Sequence, residues 1–143
     1  MKGYLLDTNV IASLIAPNGA PSVKAWASAQ DEGRLFLSVV TLAEYDKGIA
    51  KLGEDHPHRA RYVADRDALE ARFSGRIVSL SDRAVRRWGV LAGRILREAG
   101  RPPPVIDTLL AAAAVEHELC LVTRTVKDVS GTGAEILNPW ENP

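Results

Sequence analysis

The chain has 143 residues, 46% hydrophobic and 25% charged, and eighteen basic residues balance eighteen acidic ones. That is the size and composition of one ordinary soluble domain. The zero net charge removes any argument for nucleic acid from overall charge and leaves only local clusters. No apolar run is long enough to span a bilayer, and the single cysteine, Cys120, excludes an internal disulfide.

The opening MKGYLLDTNVIASLI is apolar but is interrupted by Asp7, with no small-residue cleavage site, so a cytoplasmic protein is expected. In chain order, GYLL (3–6), LFLS (35–38), IVSL (77–80), CLVT (120–123) and EIL (135–137) read as strands. Helical periodicity fills 9–16, 22–31, 40–52, 58–73 and 107–118. It is clearest in SDRAVRRWGVLAGRILREAG, where Ala84, Trp88, Leu91 and Ile95 form one face and arginines much of the rest. Ser81 or Asp82 caps that helix and Gly100 stops it. Cys120, between Leu119 and Leu121, reads as a buried strand residue. Strands alternating with helices imply an α/β domain, a parallel sheet with helices on both faces. Such sheets bind ligands at the carboxyl ends of their strands.

That rule directs attention to Asp7, at the end of the first strand, and to Thr123, Arg124 and Thr125 after the fourth. Asp7 also reads as an N-cap, where aspartate is a preferred residue. Asp107 stands between PPP and the apolar run TLLAAAAV, where a helix dipole favours a negative charge. A carboxylate at the mouth of so apolar a helix is partly desolvated, which a metal ion would offset. Glu44 lies roughly opposite the face formed by Leu42, Tyr45, Ile49 and Leu52, so periodicity alone makes it a surface residue. Arginine outnumbers lysine thirteen to five, which suits bidentate phosphate contacts but also follows from genome composition. The arginines of 83–97 read as a solvated face, and His56 and His58 as surface residues.

Taken in order, LLDTNVIASLI, SVVTLAEYDKGIA, VIDTLLAAAAVEHELCLVTRTVKD and ILNPWE closely resemble the PIN-domain family, specifically its VapC-type toxin ribonucleases. The resemblance covers residues 1–143 as a single PIN-like domain. It implies a Mg2+- or Mn2+-dependent endoribonuclease, with Asp7, Glu44 and Asp107 as the catalytic and metal-binding acids. Asn9 matches a neighbouring orienting residue, and Thr123 and Arg124 match the polar pair after the fourth strand, with Arg124 the candidate phosphate contact. Thr125 departs from the family, which has Asp or Asn there; Asp128, three residues on, is the compensating candidate. One tightly held ion is therefore expected, with a second arriving only with substrate. The resemblance further implies an RNA substrate, a small antitoxin partner and a homodimer. A haloacid-dehalogenase-type phosphatase is excluded by Asn9, where its second aspartate belongs. A response-regulator receiver is set aside because LFLS and IVSL offer no candidate for its phosphorylatable aspartate after a central strand and its late lysine. A PIN-like module that binds RNA or protein without cleavage is the alternative, and Thr125 keeps it open.

Overall fold

The computed structural model describes residues 2–141. Five parallel strands form one sheet: β1 (Gly3–Leu6), β2 (Leu35–Ser38), β3 (Ile77–Val78), β4 (Leu119–Val122) and β5 (Ile136–Leu137). They lie in the order β3-β2-β1-β4-β5. Around them run α1 (Thr8–Ile15), α2 (Pro21–Ser28), α3 (Val39–Lys51), α4 (Arg59–Arg72), α5 (Asp82–Ala99), α6 (Val105–Glu116) and the single turn α7 (Val126–Val129). No helix among the described residues is long and apolar enough to cross a membrane.

The sheet is covered on both sides, so its central strands are apolar without alternation. Successive residues point to opposite faces: Leu5 joins a core with Leu110, Ala111, Ala114 and Val129, whereas Leu6 joins one with Val10, Ile11, Val23, Leu69 and Phe73. Thus α6 and α7 cover one face, and α1, α2 and α4 the other. The helix α6 is itself sandwiched, since α5 packs on it, and this is why TLLAAAAV lacks a polar side. Ser81 caps α5 by accepting from the Ala84 N–H at 3.1 Å, and Gly100 ends it at φ +76°.

Several boundaries differ from the sequence reading, each for a local reason. The strands at 77–80 and 135–137 shrink to two residues apiece, because each is an edge strand paired over only two positions. The fourth strand shifts to Leu119–Val122, in register with Gly3–Leu6, which leaves Thr123 just beyond it. The helix expected over 22–31 ends at Ser28, and Asp31 caps a short 3-10 turn by accepting from the Gly33 N–H. Pro104 is the N-cap of α6, so Asp107 occupies the third helical position rather than the first. At Gly3 the backbones of β1 and β2 meet so closely that a Cβ would lie 2.4 Å from the Arg34 carbonyl oxygen.

The topology itself selects a site. From β1 the chain winds outward through β2 and β3, then returns to place β4 on the other side of β1. The crevice at such a switch point, outside the carboxyl ends of β1 and β4, is where open α/β sheets bind ligands. Asp7 and Thr123 follow those two strands directly.

Candidate active site

Asp7 is 4% exposed. Its backbone N–H donates to the Val122 carbonyl at 3.0 Å, which ties the end of β1 to β4. It is the N-cap of α1, but not an ordinary one. Cap side chains usually reach the second or third helical N–H, whereas Asp7 Oδ1 accepts only from the first, Thr8, at 2.6 Å. Its Oδ2 accepts from the Thr123 hydroxyl, also at 2.6 Å. Burial pushes the Asp7 carboxyl above the usual aspartate value; the bonds from Thr123 and Thr8 oppose this, and the charge of Glu44 adds to it.

Thr123 is fully buried. Its one hydroxyl proton goes to Asp7, so the Thr125 hydroxyl, 3.0 Å away, is the donor in their contact, and the Thr125 N–H donates to the same oxygen at 3.1 Å. Thr125, at the position where the family has Asp or Asn, thus acts on Asp7 through Thr123. A matching chain runs on the α3 side. The Thr8 hydroxyl donates to Glu44 Oε1 at 2.5 Å, and the Thr41 hydroxyl, 3.1 Å from Thr8, is left to donate to it. Glu44 is therefore half-buried and held, not the free surface residue that periodicity suggests. Only the first turn of α3, at Val40, Thr41 and Leu42, is deeply buried, and Glu44 lies one turn beyond Thr41.

Asp107 is half-buried in the first turn of α6. Thr108, fully buried beside it, donates to the Pro104 carbonyl at 2.6 Å and accepts from the Trp88 indole N–H at 2.9 Å, fixing that turn against α5. The Asp107 carboxyl is raised from 3.8 to about 6, first by burial, then by the charges of Asp7 and Asp128, hydrogen bonding with Asp128, and the charge of Glu44. Asp7, Glu44 and Asp107, distant in sequence, therefore lie within electrostatic reach of one another, and Asp128 stands beside Asp107. No basic side chain contributes to the shift of either Asp7 or Asp107.

Among the described residues, no three His, Cys, Asp or Glu side chains are arranged to hold one ion. The donors at hand are carboxylates, threonine hydroxyls and the Asn9 Oδ1, a buried oxygen without a hydrogen-bond partner among the described residues. An all-oxygen set suits a hard cation such as Mg2+, which commonly takes one or two carboxylates and keeps several waters. Arg124, next to Thr123, lies over the Trp140 ring at 5.2 Å.

The remaining candidates lie elsewhere. His56 and His58 are exposed, and Cys120 is buried with its thiol pushed up to about 11. Of the α5 arginines, Arg83 and Arg87 share Glu116, Arg86 meets Asp82, and Arg94 donates to the Gly131 carbonyl. Sequence reasoning missed Thr8, Thr41 and Thr108. Each is a hydroxyl in the first turn of its helix, and its role becomes legible only once its acceptor is known to face it.

The PIN domain family profile matches residues 4–124. The VapC ribonuclease Y4jK of Sinorhizobium fredii is 31% identical over 141 residues, covering 96% of this chain and 97% of that protein. The crystal structure of FitAcB from Neisseria gonorrhoeae superposes with a TM-score of 0.80 at 26% identity, covering 96% of this chain and 98% of the other. VapBC-5 from Mycobacterium tuberculosis, a member of the VapBC family of toxin–antitoxin systems, matches with a TM-score of 0.64 at 26% identity, covering 96% and 97%. With Asp7 and Thr123 bonded across the switch point and similarity along nearly its whole length, the chain belongs to the PIN-domain family and, within it, to the VapC toxins of VapBC toxin–antitoxin systems.

Proposed function

We propose that this chain is a cytoplasmic, Mg2+- or Mn2+-dependent endoribonuclease, the toxin of a toxin–antitoxin pair, which hydrolyses RNA phosphodiester bonds at Asp7, Glu44 and Asp107. One observation carries the reading: Thr8 bridges Asp7 and Glu44, its N–H donating to one and its hydroxyl to the other, while burial and then the charges of Asp7, Asp128 and Glu44 raise the Asp107 carboxyl. Gathering anions without a cation costs the fold stability, and sites that do so tend to be functional. Asp7 and Asp107 would hold the ion, with Glu44 held across from them by Thr8. A divalent ion bound there supplies a water of lowered pKa and neutralises charge on the phosphoryl oxygens.

The chain's own groups provide orientation. Thr123 and the Thr8 N–H fix both oxygens of Asp7, and the Thr41–Thr8 chain fixes Glu44. Arg124, braced by Trp140, suits a bidentate contact with a substrate phosphate. Neutral Thr125 favours one tightly held ion over two. A small cognate antitoxin is the expected partner, given the toxin–antitoxin relatives. A homodimer is supported by apolar side chains left exposed on α5 and the start of α6, of which Val90 is 78% and Val105 52% exposed.

Thr125 also supports a second reading, a module that binds without cutting. Expression of wild type beside Asp7→Asn and Asp107→Asn separates the two. Growth arrest by the wild type, abolished by both substitutions, supports the nuclease; identical behaviour of all three supports the binding module.

A further inference from the structure

Thr8, Glu44, Tyr45, Gly48 and Tyr62 line a cavity of about 290 Å³ between α3 and α4. Glu44 and Thr8 belong to the acid site as well, so the cavity and that site share a wall. Gly48 leaves room for a larger side chain at this wall, since a Cβ there would meet nothing within 4 Å. Tyr62 is 45% exposed. Among the described residues neither tyrosine ring pairs with another aromatic ring, and neither hydroxyl makes a hydrogen bond. Tyr45 packs against the core, and the exposed Tyr62 ring beside an acid site suits a planar ligand.

Charge narrows the choice. No lysine or arginine lines the cavity, whereas the Glu44 carboxylate does. A phosphate is repelled here, whereas a neutral flat group with a polar edge is not. We propose that the cavity is a nucleobase subsite, in which an unpaired base of single-stranded RNA stacks on Tyr62 while its neighbouring phosphodiester lies at the acid cluster. This rests on the ribonuclease reading and adds to it how the substrate is gripped. Stacking on aromatic side chains is the usual way proteins hold unpaired bases.

The test uses short single-stranded oligoribonucleotides carrying 2-aminopurine at successive positions, whose fluorescence falls when the base stacks. Binding is measured with Mg2+ in an Asp107→Asn background, so that cleavage is removed. Quenching at one position is expected, retained by Tyr62→Phe. Tyr62→Ala and Gly48→Leu are expected to lose it and to bind about 5- to 150-fold more weakly, as for loss of one stacked base. Thermal melts confirm that each variant is folded. If the parent binds RNA and both variants match it in quenching and affinity, the subsite is overturned while the ribonuclease reading stands. If they match it in RNA binding but lose self-association or antitoxin binding, the cavity is a protein contact and the subsite is likewise overturned. If the parent binds no RNA and the wild type with Mg2+ cleaves none, the ribonuclease reading itself fails and the subsite falls with it.

Discussion

Replacing Thr123 with valine removes one hydroxyl from the most buried part of the acid site and keeps the shape of the side chain. Asp7 Oδ2 loses its 2.6 Å donor, and at 4% exposure it has little access to water as a substitute. A hydrogen bond to a charged group contributes about 1.5–3 kcal/mol. The Thr125 hydroxyl and N–H lose their acceptor too, but Thr125 is half-exposed and water replaces most of that loss. The expected cost is about 2–3 kcal/mol in urea unfolding of the metal-free protein near neutral pH. It carries a pH signature. The Thr123 bond lowers the Asp7 carboxyl, so its removal raises that group further. The penalty should then shrink as the pH falls and Asp7 becomes neutral. Thr123→Ser should recover most of the loss. In a double-mutant cycle with Asp7→Asn, the coupling should be about 1.5–3 kcal/mol. A small, pH-independent penalty with no coupling would refute the view that Thr123 holds a charged Asp7.

Without metal, Asp107 has a folded value of about 6 against 3.8 for an ordinary aspartate. The native state therefore binds the extra proton: the stability that Asp107 contributes is full below pH 3.8 and is lost as the pH rises through about 6. Relative to Asp107→Asn, the wild type should lose about 1–2 kcal/mol between about pH 4 and pH 7.5, screening at a half-buried group reducing the full linkage value. At neutral pH, Mg2+ at about a hundredfold over its Kd should restore about 2.7 kcal/mol, seen as a higher melting temperature; a flat response to Mg2+ contradicts the ion site. Gly3→Ala should cost about 1–3 kcal/mol, because its Cβ meets the Arg34 carbonyl oxygen, and an unchanged urea midpoint would disprove that close approach. Cys120, buried and raised to about 11, should react with a thiol reagent only as fast as the protein unfolds; rapid labelling of the native protein would disagree.

Much of the architecture was legible because it rests on short-range patterns. Short apolar runs bounded by polar turns marked the strands, most plainly the central β1, β2 and β4, which are covered on both faces and carry no charge. Period 3.6 marked α5, with Ser81 and Gly100 at its ends. The edge strands were overextended because pairing, not composition, decides how far a strand runs, and β3 and β5 each find only two partners.

The acid site divides in the same way. Asp7 and Asp107 were marked by chain grammar, each a carboxylate where an apolar element meets a helix start. Glu44 was not: by periodicity it faces solvent, and only the packing of α3 against the end of β1 brings Thr8 to it. Nor does the chain order show that Asp128, read as a compensating candidate, would stand against Asp107, or that Thr125 would reach Asp7 through Thr123. Local sequence determines which segments become strands and helices, because backbone preference and side-chain period act over a few residues. Which charges become neighbours was decided by the switch point between β1 and β4, which joins ends of the chain more than a hundred residues apart.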